Sequence, residues 1–333
     1  MYCLELAGDE DAFAICEAET AASAVDHVAP GLATARGIDT ERVRTLAYTH
    51  AASELVATCE PELAAAELAV EAAAFDRTGS VAVRARDVRS RTDVSTQAAE
   101  KRLGSILVDR GFTVALDDPD HELRVLFSEG PVDGDNRERC LIGWLAAESR
   151  RDFGERRPTD RPFFQPGSMD PLDARALVNI AGAKPGARLV DPMCGTGGIL
   201  LEAGLVGSDV VGVDAQWKMT RGSQENLDAL LDDDTEAAII HGDATALPLA
   251  DGCADGVVFD APYGRQSKIA RHELADLVGG ALSEARRIAD RAVVVADRSW
   301  EEAANDAGWT VDRRFERRVH GTLVRHVHVL SSA

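Results

Sequence analysis

The chain is poor in lysine, in aromatic residues and in long apolar runs. Among its 36 basic residues only Lys101, Lys184, Lys218 and Lys268 are lysines, and the rest are arginines. Aromatic side chains make up 5% of its 333 residues. No apolar stretch nears the ~20 residues that a membrane-spanning helix needs. The opening MYCLELAGDEDAF is acidic where a secretory leader is basic. A membrane partner is therefore not expected, and the expected location is cytoplasmic. Six cysteines (Cys3, Cys16, Cys59, Cys140, Cys194, Cys253) are scattered without a C-x-x-C pair, which argues against a zinc site and against a disulfide framework. His326 and His328 would share one face of a strand. Without an acid or thiol beside them, no metal is expected there. Internal repeats and low-complexity tracts are also missing.

What is abundant is acid. Asp and Glu number 57, giving a formal charge of -21 and a pI near 4.8. A chain rich in Asp, Glu and Ala but nearly free of Lys resembles proteins of salt-in halophiles. In molar salt the screening length shrinks to ~3 Å, so self-repulsion among surface carboxylates costs little. An acidic pI ordinarily argues against a nucleic-acid partner, and in such a setting that argument loses its force. With 45% hydrophobic and 28% charged residues, the chain has material for real cores, and its length suits two domains.

Three segments divide it. Residues 1–150 read as an α+β module. YCLEL is a strand, residues 10–18 a helix, and 32–36 and 43–48 are further strands. The Ala-rich stretch 50–75 reads as two helices broken at Pro61. SVAVRARDV (80–88) alternates as a half-buried strand should, and 95–111 is an amphipathic helix capped by Ser95 and stopped at Gly111. Strands at 112–116, 121–129 and 140–149 complete the module. Residues 151–170, rich in Arg and Pro and without periodicity, read as a linker. From 171 onward strand and helix alternate. Strands at 188–191, 209–214, 237–243, 256–260 and 291–297 are separated by helices, and a terminal hairpin turns at His320-Gly321. That pattern predicts a mostly parallel sheet with helices on both faces and one antiparallel strand at its end.

The strongest chemical signal is the strand–turn–helix DPMCGTGGILLEA at 191–203. Gly195, Gly197 and Gly198 let the backbone approach a ligand at a helix N-terminus, as nucleotide sites require. Asp214 closes the next strand about twenty residues on, where a ribose-binding carboxylate belongs. The turn is not a dinucleotide fingerprint, because the third glycine position is Leu200. The strand also ends in Asp191, a carboxylate that repels a pyrophosphate and attracts an ammonium group. Asp243 and Asp260 close two more strands. A strand-terminal Asp alone is usually a turn former; four in consecutive strands beside a Gly-rich turn line one crevice.

After Asp260 comes Ala-Pro-Tyr-Gly-Arg. DPMCGTGG with VVGVDA, HGDA and DAPYGR resembles the S-adenosylmethionine-dependent amino-methyltransferases, whose target motif is usually Asp/Asn-Pro-Pro-Tyr. RPFFQPGSMDPLDARALVNIAG, the preceding α+β module and HGTLVRHVHVL narrow the resemblance to the archaeal tRNA (guanine-N2) methyltransferases acting at position 10. It implies an N-terminal RNA-binding domain (ferredoxin-like plus THUMP) over 1–150, a linker over 151–170 and an α/β Rossmann-like methyltransferase over 171–333. It further implies that Asp191, Pro192, Gly195 and Gly197 hold the methionine part of S-adenosyl-L-methionine. Asp214 would take the ribose hydroxyls, and Asp243 with Ala244 the adenine. Asp260 and the Ala261 carbonyl would accept from the target amine, while Pro262 shapes the loop and Tyr263 stacks on a flipped guanine. Ala261 departs from the family's usual proline; the carbonyl survives the change, the rigidity does not. The implied partner is tRNA, without membrane or metal, bound by a monomer or by an oligomer the sequence does not specify.

Two further readings compete. One is N-methylation of ribosomal RNA or of a DNA amino group; the N-terminal module argues against DNA, and the 162–171 stretch favours tRNA. The other is a non-catalytic RNA-binding protein, against which Asp191, Asp260 and Tyr263 stand, since folding does not demand all three. Arg265 suits a phosphate or solvent equally. Arg84, Arg86, Arg89 and Arg91 form a basic island that leans toward RNA backbone contact over a merely solvated face.

Overall fold

A computed structural model describes residues 1–232, 234–263, 271–320 and 323–332. Backbone contacts divide the chain into two units, Met1–Arg150 and Arg151–Ala333. The first holds strands β1 (Tyr2–Leu6), β2 (Ala22–Ser23), β3 (Asp26–Ala29), β4 (Leu32–Ala35), β5 (Gly37–Ile38), β6 (Thr49–Cys59), β7 (Ser80–Asp87), β8 (Thr113–Val114), β9 (His121–Val132) and β10 (Asp135–Glu148). Its helices are α1 (Asp11–Ala18), α2 (Thr40–Val43), α3 (Leu63–Ala72) and α4 (Thr96–Asp109). Eight strands form one sheet in the order β3-β4-β1-β6-β10-β9-β7-β8, and β2 pairs with β5. The apolar stripe of α4 (Ala99, Leu103, Leu107) packs with Ala66 and Val70 of α3 against Leu123, Val125, Phe127 and Ile142 of the sheet. The Ser95 hydroxyl caps α4 by accepting from Ala98 N–H.

Two expectations for this unit fail. Residues 50–59 are not helical; they belong to β6, the strand between β1 and β10. Alanine's helix propensity yields there to tertiary packing, because Ala51 and Ala52 are buried in the interior of the sheet. The 43–48 strand is likewise missing. Asp39 caps α2 by accepting from Glu41 and Arg42 N–H, and the apolar run Val43, Leu46 and Ala47 is buried in the turn that follows. There the buried Glu17 carboxylate accepts from Ala47 and Tyr48 N–H at 2.7 and 2.6 Å. The basic island is also committed internally. Arg86 pairs with Glu5, Arg84 lies 3.7 Å from Glu122, and Arg89 binds Asp11 and the Gly8 carbonyl, while the Arg84 and Arg86 side chains stay 38% and 51% exposed.

The second unit holds α5 (Pro171–Ala181), β11 (Arg188–Asp191), α6 (Gly198–Leu205), β12 (Asp209–Asp214), α7 (Trp217–Leu230), β13 (Ala237–His241), β14 (Gly256–Asp260), α8 (Arg271–Ile288), β15 (Arg291–Ala296), α9 (Glu301–Asp306), β16 (Trp309–His320) and β17 (Leu323–Ser332). The strand order is β13-β12-β11-β14-β15-β17-β16. Pairing is parallel except for β17, which runs antiparallel to β15 and β16. Val257, Val258 and Phe259 of β14 are all buried, as a parallel strand covered on both faces requires. Gly256 lets α5 close on that strand: a Cβ there would stand 2.3 Å from the Ala181 carbonyl oxygen. The hairpin turn at Gly321 and the loop carrying Arg265 lie outside the described residues.

Residues 151–170 have no α or β periodicity, yet they pack within the second unit. Phe153, Arg156 and Arg161 are buried, and Phe163 exchanges two backbone hydrogen bonds with the Asn226 amide. A composition rich in Arg and Pro marks irregular backbone, and irregular backbone can still be buried once side chains satisfy its polar groups.

Candidate active site

Strand order reverses direction at β11, so the carboxyl ends of β11 and β14 flank a crevice. Asp191, at the end of β11, is buried and accepts from Met193 N–H at 3.0 Å. The glycine turn follows. Gly195 and Gly197 have φ of +54° and +77°, in the left-handed region that disfavours side chains, and a Cβ on Gly197 would also strike the Ser223 hydroxyl. Asp214, at the end of β12, ties the turn down: its carboxylate accepts from Gly195 N–H at 3.0 Å and from Gln216 N–H at 2.8 Å. Asn226 holds the turn from behind by donating to the Thr196 carbonyl at 2.9 Å.

A cavity of about 190 Å³ opens against this turn. Asp191, Gly195, Thr196 and Asp260 line one side, and residues 165–169 form a wall on the other. The Ser168 hydroxyl meets the Thr196 hydroxyl at 3.0 Å. Pro192, Gly197, Asp214, Asp243 and Ala244 are not among the lining residues. Asp243 is exposed beyond β13, where its carboxylate accepts from the Thr245 N–H and hydroxyl, both at 2.8 Å. Ala244 beside it is buried.

Asp260 closes β14. One of its oxygens, Oδ1, is buried with no hydrogen-bond partner. The other lies 4.0 Å from the Arg325 guanidinium of β17. Ala261 is fixed by its N–H donating to the Val295 carbonyl at 2.8 Å, and the Tyr263 hydroxyl accepts from Arg325 Nε at 3.1 Å. Sequence reasoning missed Arg325, its partner Asp173 on α5, and the 165–169 wall. The wall did leave a signal, the Asp170-Pro171 cap and first-turn pair that opens α5 directly behind it.

The site is short of positive charge. Burial, reinforced by Asp214 and Asp260, raises the Asp191 carboxyl well above its ordinary range. Burial likewise raises Asp214. Asp260 is pushed up to about 6 by burial, against the pull of the Arg325 cation and the Tyr263 hydroxyl. Carboxylates held this way favour a ligand that brings a cation. His328 and His326 are structural: His328 is buried and accepts from Trp300 N–H at 3.2 Å, and His326 lies 3.7 Å from Glu316.

Sheet order, glycine turn and strand-end acids together define a Rossmann-like methyltransferase. Residues 158–326 match the UPF0020 family, described as RMKL-like, methyltransferase domain. The tRNA (guanine(10)-N2)-dimethyltransferase of Methanothermobacter thermautotrophicus is 35% identical over 296 residues, covering 86% of this chain and 83% of that protein. The enzyme of the same name from Pyrococcus abyssi is 30% identical, over 76% of this chain and 74% of its own. The chain belongs to this tRNA (guanine(10)-N2)-dimethyltransferase family. The crystal structure of TrmN from Thermus thermophilus shares the fold, with a TM-score of 0.50 and 22% identity over 100% of this chain and 99% of that one.

Proposed function

We propose that this protein methylates the exocyclic N2 amine of a guanine in tRNA, at position 10, using S-adenosyl-L-methionine in the cytoplasm. The observation that carries this reading is Asp260: a carboxylate lining the cavity, one of whose oxygens is buried without a hydrogen-bond partner. Unpaired buried acceptors are costly, and an amine that brings two N–H groups removes the cost.

The chain's residues fit the cofactor. The acid-lined cavity suits a ligand carrying an ammonium and a sulfonium. Asp191, Pro192, Gly195 and Gly197 would hold its methionine part, Asp214 the ribose hydroxyls, and Asp243 with Ala244 the adenine. The bound cofactor supplies an electrophilic methyl group. What the protein supplies is positioning and preorganised polarity. An aryl amine's lone pair is spread into its ring; acceptance by Asp260 and the Ala261 carbonyl favours a tetrahedral nitrogen and aims that lone pair. Pro262 stiffens the loop, and Tyr263 stacks the extruded base. Residues 1–150 would carry the RNA-binding, THUMP-containing role, with 151–170 linking them to chemistry over 171–333. Among the described residues no helix is long and apolar enough to cross a membrane, and no cluster of three or more His, Cys, Asp or Glu could hold a metal. Incubation with labelled cofactor and unmodified tRNA, followed by nucleoside mapping, tests the reading; label on any atom other than guanine N2 would refute it.

Asp191→Asn separates binding from folding. The amide keeps the acceptor for Met193 N–H and removes a buried charge without a cation, so the cofactor-free protein is expected to gain about 1–2 kcal/mol. Its cofactor affinity is expected to fall in the same variant. Calorimetric melting and titration check the pair of signs; a drop in both quantities returns Asp191 to a purely structural role.

A further inference from the structure

We propose that Arg325 is a positioning residue for methyl transfer, holding the Tyr263 ring and facing the Asp260 carboxylate so that both are presented to the target amine together. The inference rests on the functional reading above and extends it to strand β17. Arg325 sits on the antiparallel strand β17 with 7% of its surface exposed. Each of its nitrogens faces a different group. Nε donates to the Tyr263 hydroxyl at 3.1 Å, Nη1 meets Asp173 Oδ2 at 3.4 Å, and Nη2 lies 4.0 Å from Asp260 Oδ2. A planar fork can serve three directions at once; an ammonium cannot.

The fork is itself held. Arg317 stands directly opposite Arg325 in the β16–β17 register, a like-charge pair that repels. Asp173, in the first turn of α5, offsets it by accepting from both, with Arg317 Nη2 at 3.3 Å. Among the described residues, the charged and polar groups that act on Asp260 are Arg325 from β17, Tyr263 from the loop after β14, Asp297 after β15, Asp173 from α5 and Asp191 from β11. Arg325 is the cation nearest to Asp260 in that group. Without it, three acids face Asp260 and its charged form is disfavoured.

The test is single-turnover methylation of an unmodified tRNA transcript by the full-length chain at saturating S-adenosyl-L-methionine, across pH 5–9. The wild-type rate is expected to fall as pH drops through about 6, where Asp260 takes up a proton, and Asp260→Asn to abolish that fall. Arg325→Met should move the fall to higher pH by roughly one unit and lower the plateau about tenfold through the lost Tyr263 bond. Arg325→Lys, which keeps the charge and folds more readily, should retain the wild-type pH dependence with a lowered plateau. Cofactor affinity by calorimetry should stay at the wild-type value in both arginine variants. Profiles superimposable on wild type, or cofactor affinity falling in step with rate, overturn the role of Arg325 alone. A wild-type chain that leaves the transcript unmethylated overturns the functional reading as well.

Discussion

Asp260→Ala is expected to lower methyl transfer by about 10²–10³, the usual loss when one preorganised polar group is removed from a reacting centre. Cofactor affinity should fall far less than the rate, because the assigned contacts to the donor come from β11, β12 and the residues after β13. On the proposed reading, the target amine would complete the unpartnered Oδ1 of Asp260. Asp260→Asn is the sharper comparison. Its amide oxygen still accepts from the amine, and it carries no proton to gain near pH 6, so it should keep more activity than alanine and lose the acid-side fall. Rapid-quench measurement of a single turnover reads the chemical step directly. Equal rates for the alanine and asparagine variants would show that hydrogen bonding to the amine is not this residue's task.

The strand-end acids were legible because their meaning is local. An Asp that closes an apolar strand beside a Gly-rich turn declares its place within a few residues, and Asp191, Asp214 and Asp260 all lie where the alternation of strand and helix puts them. Arg325 was not legible, since its three partners stand 62, 65 and 152 positions away along the chain. A trace did exist: arginines on both strands of a terminal hairpin, at positions that pair, require an acid from elsewhere. The failure over 50–59 has another cause. Ala and Leu satisfy either a helix or a strand buried on both sides, so composition alone cannot choose between them. The choice was made by neighbours distant in sequence. Cys3 and Leu4 pair with Ser53 and Ala52, and the closeness of β10 leaves no room for a Cβ at Gly143, which would stand 2.8 Å from the Glu54 carbonyl oxygen. The same distinction explains 151–170. Lack of periodicity predicts irregular backbone correctly and says nothing about burial, which depends on what Arg156 and Phe163 meet.

That last point makes Glu202 the residue with the largest expected effect on stability. It is fully buried on α6, one turn behind the glycine loop. Arg156 grips both of its oxygens at 2.6 and 3.0 Å, and Arg175 of α5 reaches it at 2.8 Å. Arg161 is buried close by, with both terminal nitrogens lacking a hydrogen-bond partner. Glu202, helped by Asp152 at 2.8 Å from Arg156 Nη1, thus balances three buried guanidinium groups drawn from residues 151–170 and α5. Glu202→Gln keeps the shape and removes the buried charge, leaving three buried cations with the half-exposed Asp152 beside Arg156, and is expected to cost about 3 kcal/mol. Screening offers little relief, since ions reach buried pairs poorly, so the loss should persist in molar KCl where a surface pair's contribution would vanish. The 165–169 wall hangs from the segment that Arg156 anchors, so cofactor affinity should fall along with stability. Denaturant melts at low and high salt measure the first effect, and calorimetry on the still-folded protein measures the second. Replacing Glu202, Arg156, Arg161 and Arg175 together by Leu, Met, Met and Met should recover most of the stability, because the penalty lies in the uncompensated charge rather than in lost attraction. If the quadruple variant is as unstable as Glu202→Gln, the ion cluster is not what holds residues 151–170 in place.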